Sequence, residues 1–251
     1  MTWVLLRGLM RESRHWGEFA TQFRAAHPDE DIITLDFPGN GVLHRETSAS
    51  SVQEMAEFCR HELKKRGYAP PYQLLSVSLG AMVAVAWADA HPEELSRVVL
   101  INTSLAPHNP FYHRLRPKNY PALLLTMLFG NVAKREQLIL RITSKISKQS
   151  TAVAESILKQ WQTYAESAPI SVSNIWRQLH AALGYRAPAQ KPAVALLMLA
   201  GERDDLVNPL CSIHLAKKWQ CELRLHPSAG HDLPLDDAAW VIQQVATDHA
   251  V

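Results

Sequence analysis

Cysteine is scarce in this chain, histidine forms no close cluster and no apolar run is long, and each shortage removes a class of function. The three cysteines in 251 residues, Cys59, Cys211 and Cys221, make neither an even disulfide set nor a CxxC pair, so they read as free thiols. Twelve histidines include no HExxH and no tight grouping with acidic residues, and no metal is expected. No stretch approaches the roughly 18 to 20 apolar residues that cross a bilayer; the longest candidate covers residues 79–88. The chain enters the apolar run Trp3-Val4-Leu5-Leu6 without a basic segment and cleavage site, so no secretory signal is expected and the cytoplasm is the expected location. Pro38-Gly39-Asn40-Gly41 lacks the Lys-Ser/Thr of a P-loop and the full GxGxxG pattern, so no nucleotide cofactor is expected. The basic stretches carry no nucleic-acid reader motif, and nucleic acid is not an expected partner. Repeats and low-complexity tracts are also missing.

What remains is an ordinary globular composition, 47% hydrophobic and 20% charged, long enough for one large α/β domain with or without an insertion. Short apolar runs rich in β-branched residues alternate with longer helical patterns, the signature of a parallel sheet flanked by helices. Strands are predicted over residues 2–6, 31–35, 72–77, 97–102, 193–200 and 221–225. Helices are predicted over 15–26, 52–66, 79–90, 209–219 and 237–248, with His27-Pro28 and His91-Pro92 closing two of them.

The rhythm breaks once. Residues 104–192 show helical periodicity and no convincing strand, which predicts an inserted helical subdomain between a core made of residues 1–103 and 193–251. This segment holds twelve basic residues against Glu136, Glu155 and Glu166, and since the whole chain carries only +2, the core is acidic. A basic lid suits an anionic substrate, an acidic carrier protein or a lipid surface; a solvated helix face with no partner is the plain alternative. The run Leu123 to Leu128 either lines an acyl tunnel or packs the lid on the body.

The pentapeptide Ser76-Val77-Ser78-Leu79-Gly80 lies where a buried strand passes straight into a helix, which is how a hydroxyl nucleophile is exposed on a tight turn. Serine needs a base within hydrogen-bond reach, and the base needs a carboxylate to orient it. Both occur after later strands: Gly201-Glu202-Arg203-Asp204-Asp205 follows the fifth, and His226-Pro227-Ser228-Ala229-Gly230-His231 follows the sixth. Groups at the carboxyl ends of parallel strands converge, so Ser78, one of the two aspartates and one of the two histidines can meet. Asp232, Asp236 and Asp237 suit the amino-terminal end of the last helix.

The order Ser, Asp, His, the Ser-x-Ser-x-Gly turn, the Gly-x-x-Asp segment and the Gly-His turn together resemble the α/β-hydrolase superfamily, over nearly the whole chain. The resemblance implies a six-stranded, mostly parallel sheet with a helical cap, and a triad of Ser78, Asp204 and His231. It selects Asp204 by its third position after Gly201, and His231 because it follows glycine. It further implies an oxyanion hole from the backbone N–H groups of Leu79 and Leu9, although Arg7-Gly8 stands where the family often has His-Gly, which leaves Met10 as a rival to Leu9. Asp36-Phe37-Pro38-Gly39-Asn40-Gly41 resembles the family's structural Asp-x-Pro-Gly-x-Gly turn, with glycines supplying positive φ. A serine at position 78 excludes the aspartate-nucleophile branches.

The leading functional expectation is a serine hydrolase of a carboxylic ester or thioester, with a small-molecule acyl substrate. The alternatives are a carbon–carbon bond hydrolase or lyase like those of menaquinone biosynthesis, an acyl-CoA or acyl-carrier thioesterase, and a non-catalytic receptor. Arg7, Arg11 and Arg14 beside the oxyanion loop either clamp a carboxylated substrate or are surface residues.

Overall fold

The structure, a computed structural model, describes residues 1–247. Six parallel strands, β1 (Thr2–Leu6), β2 (Asp31–Leu35), β3 (Tyr72–Val77), β4 (Leu95–Ile101), β5 (Ala195–Gly201) and β6 (Glu222–His226), form one sheet in the order β2-β1-β3-β4-β5-β6. The inner strands TWVLL, YQLLSV, LSRVVLI and ALLMLAG are near-continuous apolar runs because helices cover both faces. The edge strands DIITL and ELRLH are only partly buried, with Asp31 and Glu222 exposed at their starts.

The helices in chain order are α1 (Glu18–Ala26), α2 (Val52–Lys65), α3 (Leu79–Ala90), α4 (Phe111–Arg114), α5 (Tyr120–Phe129), α6 (Val132–Thr143), α7 (Ile146–Gln149), α8 (Thr151–Ser167), α9 (Val172–Gly184), α10 (Leu210–Trp219), α11 (Leu233–Asp236) and α12 (Ala238–Thr247). On one face, Val4, Leu74, Leu100 and Met198 pack against Met55 of α2, Trp87 of α3 and Leu215 of α10. On the other, Trp3, Leu75, Val99 and Leu197 pack against Phe19 and Phe23 of α1 and Val241 of α12. Each such buried aliphatic side chain contributes about 1.5–3 kcal/mol relative to exposure.

Several boundaries differ from the sequence reading for local reasons. The helix expected over 15–26 is broken at Gly17, whose φ of 50° separates a 3-10 turn, Ser13–Trp16, from α1. β4 begins two residues early, and its register shifts beside Tyr72, where Ser96 Oγ donates to the Tyr72 carbonyl. β5 starts late because Val194 N–H turns back to the Pro192 carbonyl. β6 starts one residue late because Gln220, at φ 50°, ends α10 in the left-handed region and Cys221 N–H closes onto Ala216. α2 matches its expected start through a capping box between Ser51 and Glu54. The expected last helix, 237–248, begins one residue later as α12, with the separate short α11 before it, and its expected final residue, Asp248, lies outside the described residues.

Between β4 and β5 the chain forms six helices, α4 to α9, and contributes no strand to the sheet. Its two ends meet in an isolated bridge, Ala106 with Arg186, and Leu140, Ala154 and Trp161 form a small core of its own. In α5, Leu124, Leu125, Leu128 and Phe129 are exposed, Phe129 by 78%. These four side chains are therefore not packed on the body; Leu123 is half-buried, and the Met127 side chain lies outside what is described.

Candidate active site

Ser78 stands at the turn from β3 into α3 with φ 56° and ψ −112°, a strained region for a residue with a Cβ. The surroundings hold the turn in place. Ser78 N–H donates to the Ile101 carbonyl at 3.1 Å, and Gly80 packs so closely on β1 that a Cβ there would lie 2.5 Å from the Leu6 carbonyl oxygen. Ser76, in the position where the family usually has glycine, is fully buried and donates through Oγ to the Val99 carbonyl at 2.9 Å. Ser78 itself remains partly exposed.

Asp204 is 1% exposed. Its Oδ1 accepts the N–H groups of Leu206 and Val207 at 2.8 and 2.9 Å, which leaves Oδ2 for His231 Nδ1 at 2.7 Å. Asp205 instead forms ion pairs with Lys118 and Lys145. Burial would raise its pKa, but the two ammonium groups outweigh burial and hold it at about 2. His226, the other histidine considered, accepts Ala229 N–H at Nδ1 and lies 3.2 Å from Asp237 through Nε2, so it shapes the turn. His231 Nε2 is buried and has no hydrogen-bond partner among the described residues, Ser78 included. A nucleophile and its base often engage only once substrate is bound.

The loop after β1 lies against Ser78: a Cβ on Gly8 would be 3.2 Å from Ser78 Cβ. Met10, at φ 58°, donates its N–H to Gln178 Oε1 at 3.0 Å. The N–H groups of Leu9 and Leu79 have no acceptor among the described residues. Of the two loop donors considered, Leu9 is thus the free one. Gln178 of α9 is fully buried and also donates to Asn40 Oδ1 and Ser48 Oγ. It ties the helical segment to the Asp36–Gly41 turn, in which Gly39 and Gly41 take φ of 91° and 52° and Asp36 accepts from Ser13 and Val42.

Asn102, which the sequence reading passed over, sits at φ 48° just after β4. Its Nδ2 donates to the carbonyls of His231 and Gly230 at 2.7 and 3.1 Å, and its Oδ1 accepts Gly201 N–H at 3.0 Å. An asparagine at the carboxyl end of a strand was its only sequence signal, since asparagine tolerates the left-handed region better than most residues.

The three arginines beside the expected oxyanion loop each have a carboxylate partner already. Arg7 makes a buried bidentate pair with Asp232 at 2.6 and 3.0 Å and stacks on Trp16. Arg11 pairs with Glu136 at 2.7 Å and stacks on Trp161; Arg14 pairs with Glu12 at 2.5 Å and stacks on Tyr164. Burial pushes the Glu12 carboxyl up, partly opposed by Arg14. Burial, helped by Arg11 and Arg7, holds the His15 imidazole well below its usual range.

Asp237 holds its expected place at the start of the last helix, where Oδ1 accepts Trp240 N–H at 2.9 Å, whereas Asp236 departs from it. Asp236 accepts from Ser144 Oγ, Lys145 N–H and Gly230 N–H, and burial raises its pKa despite those donors. Elsewhere, His91, Glu93 and Glu94 bring ligand atoms together near the surface, but Glu94 already receives Arg60 and Trp87 Nε1. No helix among the described residues is long and apolar enough to cross a membrane.

The model of the alpha/beta hydrolase family matches residues 3–244. The chain belongs to that family and is a hydrolytic enzyme. No curated protein matches it by sequence. Solved structures of the same fold include a thermophilic esterase from Thermogutta terrifontis, with 16% identity over 99% of this chain and 89% of that one and a TM-score of 0.75. Another is the 2-hydroxy-6-oxo-6-phenylhexa-2,4-dienoate hydrolase of Rhodococcus sp. strain RHA1, with 17% identity over 100% and 90% and a TM-score of 0.78. A bacterial membrane phospholipase A aligns with 18% identity over 98% and 77% and a TM-score of 0.77.

Proposed function

We propose that the protein cleaves a carboxylic ester or thioester through an acyl-enzyme on Ser78, with residues 104–192 as a helical cap over an α/β core. The observation that carries this reading is His231, held by Asp204 at Nδ1 while Nε2 is buried and unpartnered. Nε2 takes the Ser78 proton as Oγ bonds to the acyl carbon, and Asp204 stabilises the imidazolium that forms. The carbonyl electron pair moves onto oxygen, which the N–H groups of Leu79 and Leu9 receive. Collapse of this adduct breaks the bond to the leaving group, which takes the proton from His231. Water then gives a proton to His231 and attacks the acyl carbon, and as the bond to Ser78 Oγ breaks His231 returns that proton to Oγ, releasing the carboxylic acid and free Ser78.

A carbon–carbon bond hydrolase acting on a carboxylate, as the name of the Rhodococcus neighbour describes, would need a free cation near the oxyanion loop. Arg7, Arg11 and Arg14 each have a carboxylate already, so the ester reading is preferred. The test is turnover of short p-nitrophenyl esters and labelling by a fluorophosphonate. Ser78→Ala should lower kcat by at least about 10⁴-fold and abolish labelling. Unchanged turnover in this variant would remove Ser78 from the mechanism.

A further inference from the structure

A cleft lies at the carboxyl end of the sheet, beside the turn that carries Asp204. It has a volume of about 620 Å³ and lies between the helical segment and the turns after β5 and β6. Five cations line it: Arg116, Lys118, Lys145, Lys148 and Arg203. The carboxylates in its wall are Asp205 and Glu202, which leaves three positive charges in excess. Neither Ser78 nor His231 lines it.

The partners of these cations show which of them are free. Lys118 and Lys145 share Asp205, and Arg116 donates to the Asp204 carbonyl at 2.6 Å. The side chains of Lys148 and Arg203 are exposed and have no hydrogen-bond or ion-pair partner among the described residues. Asp205, held at about 2, is ionised at neutral pH and already saturated by two ammonium groups. Like charges gathered in one concavity repel, and an occupant of opposite sign relieves that repulsion. A single carboxylate would neutralise one of the three excess charges; a group with two or more charges and several acceptor oxygens suits the site better. The volume falls within the roughly 300–1,000 Å³ usual for small-molecule sites and exceeds what a bare inorganic ion fills.

We propose that this cleft binds a phosphorylated organic anion, its phosphate or pyrophosphate group held by Arg203, Lys148 and Arg116. The proposal goes beyond the acyl chemistry of Ser78 and does not depend on it. The occupant would sit behind the acid turn, since Asp205 adjoins Asp204 and Arg116 is bonded to the backbone of Asp204.

Two sources present this chemistry, a soluble phosphorylated molecule and a phosphate-bearing lipid head group, and two probes separate them. In titration calorimetry of the full chain at low salt, inorganic pyrophosphate should bind at a single saturable site and weaken as ionic strength rises. The Lys148→Gln/Arg203→Gln double variant should bind about tenfold more weakly or worse, equivalent to about 1.4 kcal/mol. Glu202→Gln should bind more tightly, an effect that misfolding does not imitate. In the second arm, the chain is sedimented with phosphatidylcholine vesicles with and without phosphatidic acid. Pyrophosphate binding with both variant effects supports the site with a soluble occupant. Phosphatidate-dependent sedimentation that the double variant abolishes supports it with a lipid occupant. Affinities for both probes that ignore the variants, or no binding of either, overturn the proposal. Loss of esterase activity in Ser78→Ala bears on none of these readouts, so the two readings fail separately.

Discussion

Two groups of cations flank the candidate site, and they differ in what surrounds them. Arg7, Arg11 and Arg14, close to the loop after β1, each have one carboxylate and one aromatic face, so their charge is matched within the molecule, although Arg14 itself is exposed. Arg203 and Lys148, beside the acid turn, have neither a carboxylate nor an acceptor among the described residues. In the linear sequence the first group looked more like a substrate clamp because it lies nearer the expected oxyanion hole. Proximity along the chain does not report saturation. Whether a cation is free depends on partners such as Asp232 and Glu136, which are 225 and 125 residues away.

The largest effect that separates the groups is on stability. Arg7→Met leaves Asp232 buried without its partner and should lower the unfolding free energy by about 3–5 kcal/mol in urea titrations. A loss below about 1 kcal/mol would show that Arg7 is not matched as described. The next effect is on pH dependence. His15 is held neutral in the folded state with its pKa below the unfolded value of 6.5, so the unfolded chain takes up the proton first. Stability from this group is fully present above 6.5 and falls as pH drops through it, by up to about 1.4 kcal/mol per pH unit. His15→Gln should flatten that slope between pH 5 and 6.5 in thermal or urea unfolding; an unchanged slope would assign the acid sensitivity elsewhere. The smallest effect belongs to the other group. Lys148→Gln/Arg203→Gln should change unfolding free energy by no more than about 0.5 kcal/mol per site, because exposed cations without partners hold nothing together. A larger loss would move these residues into the matched class and weaken the case for a ligand in the cleft.

Much of the sheet was legible because inner strands such as Tyr72–Val77 are apolar on both faces and need no periodicity to be recognised. Family membership and the six-stranded parallel sheet agree with the motif order read along the chain. The turn at Ser78 and the placement of Asp204 against His231 lie at strand ends, where small residues and glycines leave a readable trace. Less legible were features made by single side chains reaching across the fold. Asn102 binds two carbonyls 128 and 129 residues on, and Gln178 takes the Met10 N–H from 168 residues away. No local pattern encodes such a reach. The exposure of Leu124, Leu125, Leu128 and Phe129 was also misread, because an all-apolar helix is ordinarily a buried one.

The bonds around Asp236 set a limit on motion. This carboxylate joins Ser144 and Lys145, just after α6, to Gly230, and the Thr143 carbonyl receives Asp232 N–H at 2.7 Å. His231 lies between these anchored residues. Moving the helical segment away from the sheet as one rigid body would therefore break bonds on both sides of His231, so residues 143–145 tether that segment to the turn that carries the imidazole.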